Sequence, residues 1–234
     1  MVEGTYGDEV SSLQENYAAV QQRIASAAML AGRKVEEITL VAVTKKFPAA
    51  LLRDAYNLGM RDFGENYVQE FEGKYPELHD LAASGGARMH LIGHLQSNKA
   101  RKASEIFQVV ETIDSVKLAQ RLDSMGVKLD VMIEVKLSQE DSKAGAPPEE
   151  VGAIVAALRN SRNLTLTGLM TMPPWNDDAE QTRPYFRRLA AVAREHQLAK
   201  LSMGMSHDLE AAIEEGSTHV RVGTALFGRR PKPV

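Results

Sequence analysis

The chain has 234 residues, 44% of them hydrophobic and 25% charged, with a formal net charge of -3 and no cysteine. These values belong to an ordinary globular protein and exclude disordered and fibrous classes, disulfides, thiolate metal sites and a cysteine nucleophile. A near-balanced charge also gives no electrostatic ground for binding nucleic acid or an anionic membrane surface.

The opening MVEGTYGDEV has no basic or apolar signal region, and no apolar run approaches the ~20 residues that span a bilayer, so a cytoplasmic protein is expected. Residues 1–9 read as a loose leader. From there Val10, Leu13, Tyr17, Val20, Ile24 and Ala27 recur at alternating steps of three and four, one face of a helix over 10–32 that Gly32 stops. The run ITLVAV at 38–43 reads as a strand buried on both faces, and it ends in Lys45 and Lys46. Pro48 opens a helix that Gly59 ends, 62–65 is a short strand, and Asn66 is placed to cap a helix from Tyr67.

Strands follow at 89–94, 109–114, 129–137, 164–172, 198–206 and 219–227. Helices are expected between them: a basic one from Ser97, then 115–125, 149–159, one ending near His196 whose start Pro184 blurs, and 207–215. Strands alternating with helices specify a parallel sheet, and eight such units favour a closed (β/α)8 TIM-type barrel over an open doubly wound sheet. The expected organisation is a single α/β domain over 1–234, the barrel occupying 38–228 behind an extra N-terminal helix.

A barrel holds its site at the carboxyl ends of its strands. Two features there carry chemistry. Ser206 stands where the seventh strand passes into a helix, and Gly223 and Thr224 lie at the eighth, the pair of ends where barrels commonly bind phosphate. The alternative reading is that Ser206 only caps a helix and Gly223 only relieves packing. Arg221 lies inside the apolar run HVRVGTALF, where a guanidinium is costly unless an acceptor meets it; it shares a strand face with His219 and Gly223 and points either into the site or outward to a helix carboxylate.

Lys45 and Lys46 point to opposite sides, so one of them enters the mouth. A lysine in a semi-apolar mouth loses its proton readily, which Schiff-base formation requires, although a snorkelling lysine would occupy the same place. Lysine, phosphate cradle and arginine together suggest an aldehyde ligand bearing a phosphate, and pyridoxal 5'-phosphate (PLP) fits that description. His90 and His94, four apart on a strand, stand ~13 Å from each other and cannot share a metal. The chain has no Walker loop, no G-x-G-x-x-G and no G-x-S-x-G elbow. Lys99–Lys102 and 229–232 read as solvated basic clusters, and Met170, Met172, Met203 and Met205 as barrel wall.

LVAVTK, FGENYVQE, HLIGHLQSNK, GLMTM, LSMGMSHDLEAAIEEGS and VRVGTALFG, spread from Leu40 to Gly228, resemble the pyridoxal phosphate homeostasis protein family, also called YggS or PROSC. That family is similar to the N-terminal barrel of alanine racemase, the fold-type III PLP architecture. The resemblance implies a Schiff base on Lys45, phosphate held by Ser206, Gly223 and Thr224, and Arg221 against the pyridine nitrogen. It places Asn66 beside the ring and Met170 and Met205 against the cofactor, and it matches Lys143 to a rim lysine. An arginine at the pyridine nitrogen weakens the ring as an electron sink. It still permits racemisation, so an amino-acid racemase is the alternative to a carrier. The racemases of this resemblance take their second base from a C-terminal β-domain and a partner subunit, and this sequence ends seven residues after 227. The expectation is therefore a monomeric PLP carrier in vitamin B6 homeostasis, without robust turnover, that supplies PLP-requiring apo-enzymes.

Overall fold

Eight short runs rich in branched and apolar side chains pair edge to edge and close on themselves. The computed structural model describes residues 6–84, 86–138 and 144–228. Lys143, the basic cluster at 229–232 and the first residues of the leader lie outside the described residues. The strands are β1 Thr39–Val43, β2 Asp62–Glu65, β3 Arg88–Leu91, β4 Val109–Ile113, β5 Leu129–Glu134, β6 Leu164–Met170, β7 Lys200–Met205 and β8 His219–Val222. They form a closed barrel in chain order, β1 pairing with both β2 and β8, and every pair is parallel. The expected α/β barrel is thus observed.

The connecting helices are α2 Ala49–Asn57, α3 Val68–Ala83, α4 Ala100–Ile106, α5 Val116–Asp123, α6 Val151–Arg159, α7 Arg183–Glu195, α8 Leu209–Glu214 and α9 Thr224–Phe227. Pro184 stands in the first turn of α7, where a missing N–H costs nothing. The main apolar core lies between the strands and this ring: Phe63, Met89, Leu91, Val110, Ile133, Leu169 and Val220 of the strands meet Leu52, Phe71, Leu118, Ile154 and Phe186 of the helices, all fully or almost fully buried.

The N-terminal helix α1 runs over Tyr6–Leu30 and so begins inside the stretch expected to be a loose leader. Its buried side, Leu13, Val20, Ile24 and Ala27, follows the expected spacing. It packs on α8 and α9. Arg23 forms a two-pronged ion pair with Glu210 (2.6 and 2.8 Å), and Asn16 donates to the Leu226 carbonyl at 2.9 Å. Because α9 has only four residues, α1 covers the outside of the ring where a full eighth helix would lie.

The largest departure from expectation is at the end of β8. The run 219–227 reads as one strand, but pairing stops at Val222 and residues Thr224–Phe227 turn into α9, with Leu226 and Phe227 N–H bonded to the Gly223 carbonyl. Periodicity does not separate a short buried strand from a buried helical turn. Helix α8 also starts later than expected. It begins at Leu209, and the Asp208 carboxylate accepts the Met205 N–H at 2.7 Å.

A second feature is a register shift in β7. Ser202 pairs with His219 and Met205 with Arg221, so β7 carries one residue more than β8 over this stretch. The extra residue is accommodated beside Gly204, whose φ is +90° and whose missing Cβ would lie 2.4 Å from the Ala212 Cβ. The bulge changes the phase of the strand, so Met205 and Ser206 both reach the barrel mouth.

Candidate functional site

The carboxyl ends of the strands surround a cavity of about 520 Å³. Its wall includes Lys45, Asn66, Met205, Ser206, Arg221, Gly223 and Thr224, residues drawn from four separate places in the sequence. Met170 is not among the lining residues. It is fully buried on β6, in register with Glu134 and Ser202, and Met172 lines the cavity instead. Trp175 and His207, not singled out from the sequence, complete the rim. Their rings lie 5.0 Å apart, and His207 Nε2 donates to the Asp177 carbonyl at 3.0 Å.

Lys45 is fixed by what holds its neighbours. Thr44 Oγ1 donates to Glu65 Oε1 at 2.9 Å, and the Lys74 ammonium donates to the Thr44 carbonyl (3.2 Å) and to Glu65 Oε1 (3.0 Å). On the other side, Lys46 N–H donates to Glu70, which also pairs with Lys74 at 2.7 Å. Lys46 adopts φ +67°, the left-handed conformation, and this reversal leaves Lys46 exposed while Lys45 lines the cavity. Burial pushes the Glu65 carboxyl up, against the Lys74 charge that draws it down. This clamp from α3 was not legible in the sequence beyond the four-residue spacing of Glu70 and Lys74.

Asn66 does not cap α3, which starts at Val68 with Tyr67 at its cap. Its Oδ1 is buried in the cavity wall with no hydrogen-bond partner. Gly93 sets its position from behind: a Cβ there would lie 2.1 Å from the Asn66 carbonyl oxygen. Gly93→Ala is expected to destabilise the protein by about 3 kcal/mol, measured by urea unfolding, because backbone has to move. An unchanged transition midpoint would show that the β2 end can shift freely.

The Ser206 hydroxyl does not cap α8. Instead Gly223 N–H and Ala225 N–H both point to its Oγ, each at 3.3 Å. Two backbone donors thus converge on the Ser206 hydroxyl oxygen, with Thr224 between them in sequence, which gathers two N–H groups and two hydroxyl residues at one side of the cavity. At Gly223 a Cβ would only meet Val43 at 3.4 Å, ordinary contact, so packing alone does not require glycine there.

Arg221 points inward, the first of the two readings the sequence left open. Its guanidinium is buried, with Nη1 donating to Ser202 Oγ at 2.8 Å and Nη2 to the Thr171 carbonyl at 2.9 Å. Burial pushes its pKa down, opposed by Glu111, Asp208 and Glu134, yet an arginine starts so high that it remains a cation. Behind it Ser202 Oγ donates to Glu111 at 2.5 Å, and Glu111 meets His90 Nδ1 at 2.7 Å. Despite full burial, the hydrogen bond from His90 and its charge hold the Glu111 carboxyl down at about 2. His94, by contrast, is exposed and stands 3.4 Å from Asp114. Among the described residues no group of His, Asp and Glu side chains could hold a metal.

These residues fit PLP. The volume suits a ligand of that size, the buried Asn66 Oδ1 lacks a polar partner, the Gly223 and Ala225 N–H groups hold the Ser206 hydroxyl at the cavity wall, and the lysine and arginine reach the same space.

The family model described as alanine racemase, N-terminal domain, matches residues 9–231. The pyridoxal phosphate homeostasis protein of Pseudomonas aeruginosa is 45% identical over 227 residues, covering 94% of this chain and 97% of that one. PipY of Synechococcus elongatus PCC7942, in a structure with PLP bound, is 40% identical, has a TM-score of 0.78, and is matched over 89% of this chain and 100% of its own. Alanine racemase from Corynebacterium glutamicum, at 19% identity and a TM-score of 0.67, shares the fold over 62% of its length. With a family match across nearly the whole chain and close relatives aligned end to end, the chain belongs to the pyridoxal phosphate homeostasis proteins of the alanine racemase N-terminal domain family.

Proposed function

We propose that this protein binds PLP as a Schiff base on Lys45 and serves in intracellular PLP homeostasis, as a carrier without robust turnover and as a monomer that supplies PLP-requiring apo-enzymes. The observation that carries the reading is the meeting of Lys45, Arg221 and the Ser206–Gly223–Ala225 donors in one cavity. Lys45 provides the amine, the donors at Ser206 and the start of α9 take the phosphate, and Arg221 faces the ring nitrogen. Asn66 and Met205 flank the ring. PLP, when bound, supplies an electrophilic aldehyde and a conjugated ring. The recipients are proteins that need that aldehyde, which is why a reversible lysine linkage suits a carrier.

The absence of turnover follows from the acid–base groups. Among the described cavity-lining side chains, those that can titrate are Lys45, His207 and Arg221. Racemisation needs a second base facing Lys45 across the substrate carbon. Arg221 does not give up its proton, and His207 is engaged with Asp177 and stacked on Trp175. The same arginine, as a donor with no acceptor, disfavours the protonated ring that transamination uses.

Trp175 gives a direct test, since it is the single tryptophan of the chain and lines the cavity. Titration with PLP is expected to quench its emission to saturation as the visible band grows, and an amino-acid racemase assay of the loaded protein is expected to stay at background. Unquenched emission would remove the cavity as the binding site, and steady racemisation would replace the carrier by an enzyme.

A further inference from the structure

The interior of the barrel holds more charge than the cavity uses. Arg221, Ser202, Glu111, His90 and Asp62 are joined by consecutive hydrogen bonds of 2.8, 2.5, 2.7 and 2.9 Å. The row starts at the cavity wall on β8 and crosses β7, β4 and β3. It ends at Asp62, the first residue of β2, at the opposite end of the barrel. Its first four members are buried, and Asp62 keeps 17% of its side chain exposed, so solvent reaches the row at the end away from the cavity.

Both His90 ring nitrogens face carboxylate oxygens, so both carry protons and the ring is an imidazolium. Signs then alternate along the row: Arg221 positive, Glu111 negative, His90 positive, Asp62 negative. Burial of such groups is tolerated only when each is paired. Burial lowers the His90 pKa, but its bonds to Asp62 and Glu111 outweigh this and raise it. The other charged or titratable neighbours are His219, whose ring lies 6.4 Å from His90, Lys200 beyond it, and Asp208 and Glu134 acting on Arg221.

We infer that Glu111, His90 and Asp62 are positioning residues that set the potential at the ligand through Arg221, coupling the far end of the barrel to the proton affinity of the bound PLP. The inference rests on the PLP reading given above. Glu111 fixes the guanidinium through Ser202 and offsets its charge. His90 is held protonated by Asp62, and the state of that one proton determines how much of the Glu111 charge is left to act on Arg221.

The test has two parts. In the protein without added ligand, nitrogen NMR of the histidine rings, with His90 identified by its loss in His90→Gln, is expected to show both His90 nitrogens still protonated above the usual imidazole range. A ring titrating near 6.5 would overturn the row as described. With PLP bound, the pH midpoint of the visible band is the readout. Glu111→Gln removes the row's negative charge closest to Arg221 and is expected to lower the midpoint by about half a pH unit or more. Asp62→Asn leaves the Arg221 and Glu111 charges in place but releases the second His90 proton. The nearer positive charge leaves together with the farther negative one, so the midpoint is expected to rise. Asp62 is partly exposed, so this variant folds even where Glu111→Gln does not. Midpoints that stay put, or that move the same way in both variants, overturn the coupling. A wild-type protein with no Lys45-dependent band removes the ligand reading, and this inference with it.

Discussion

Lys45→Ala is expected to abolish the visible band formed with PLP while leaving the protein folded. The expectation combines two features. Lys45 lines the cavity, and its neighbours Lys46 and Thr44 carry the bonds that hold the turn through Glu70, Glu65 and Lys74. Removing the Lys45 side chain therefore deletes the amine without touching the clamp. An unchanged melting temperature with no PLP adduct is the predicted result in absorbance and mass. PLP is still expected to bind weakly and without a covalent bond, because the groups at Ser206 and Arg221 remain. A normal adduct in this variant would transfer the chemistry to another lysine.

The second large effect is on stability in acid. Burial holds the His219 pKa at about 4, with Glu111 and Asp62 pulling it up and His90 and Lys200 pushing it further down. The unfolded chain binds a proton at this residue near pH 6.5, whereas the folded protein resists until about 4. Between those values the unfolded state binds more protons, so stability falls as pH falls, by about 3 kcal/mol in all. Glu111 adds a second, lower window: its carboxyl titrates at about 2 when folded and at 4.5 otherwise, so its contribution is present above 4.5 and lost as pH drops toward 2. His90 acts in the opposite sense. Its raised pKa contributes stability below its unfolded value that is lost as pH rises through the folded one. A maximum in stability between these windows is expected, and urea unfolding of His219→Gln should show a flatter curve from about pH 6.5 to 4. Parallel curves for the variant and the wild type would assign the acid limb elsewhere.

What the sequence revealed, and what it hid, divides by the range of the interactions. The strand at β1 and the stop at Gly59 are local matters of branching and glycine, and they were legible, whereas the helix start at Pro184 was blurred until the structure placed that proline in the first turn of α7. So was the buried arginine as a puzzle: Arg221 in an apolar run demanded an acceptor. The acceptors themselves were hidden, because Ser202 and Thr171 come from other strands and Glu111 lies 91 residues from Ser202 inside what reads as an apolar stretch. Only barrel closure brings them together. The seven motif residues that line the cavity sit at strand ends, which the βα alternation locates. Met172 in place of Met170 depends on where β6 ends and how its register shifts against β5, and this is a property of pairing. The Gly204 bulge likewise has a local trace, a glycine within a strand, but its consequence for Met205 and Ser206 appears only in the pairing with β8.

The reading of α9 as strand has a related cause. VGTALF is apolar apart from Thr224, and four residues are too few to display a helical period. Its helical turn shapes the cavity wall, since it aims the Ala225 N–H at the same Ser206 oxygen as the Gly223 N–H.

The measurement that bears most directly on the central claim is borohydride reduction of the PLP-treated protein followed by peptide mass mapping. A single pyridoxyl group on the peptide containing Lys45, formed in step with quenching of Trp175, is the predicted result. A protein that stays colourless and unmodified, or one labelled at lysines outside the cavity with Lys45 intact, would contradict it.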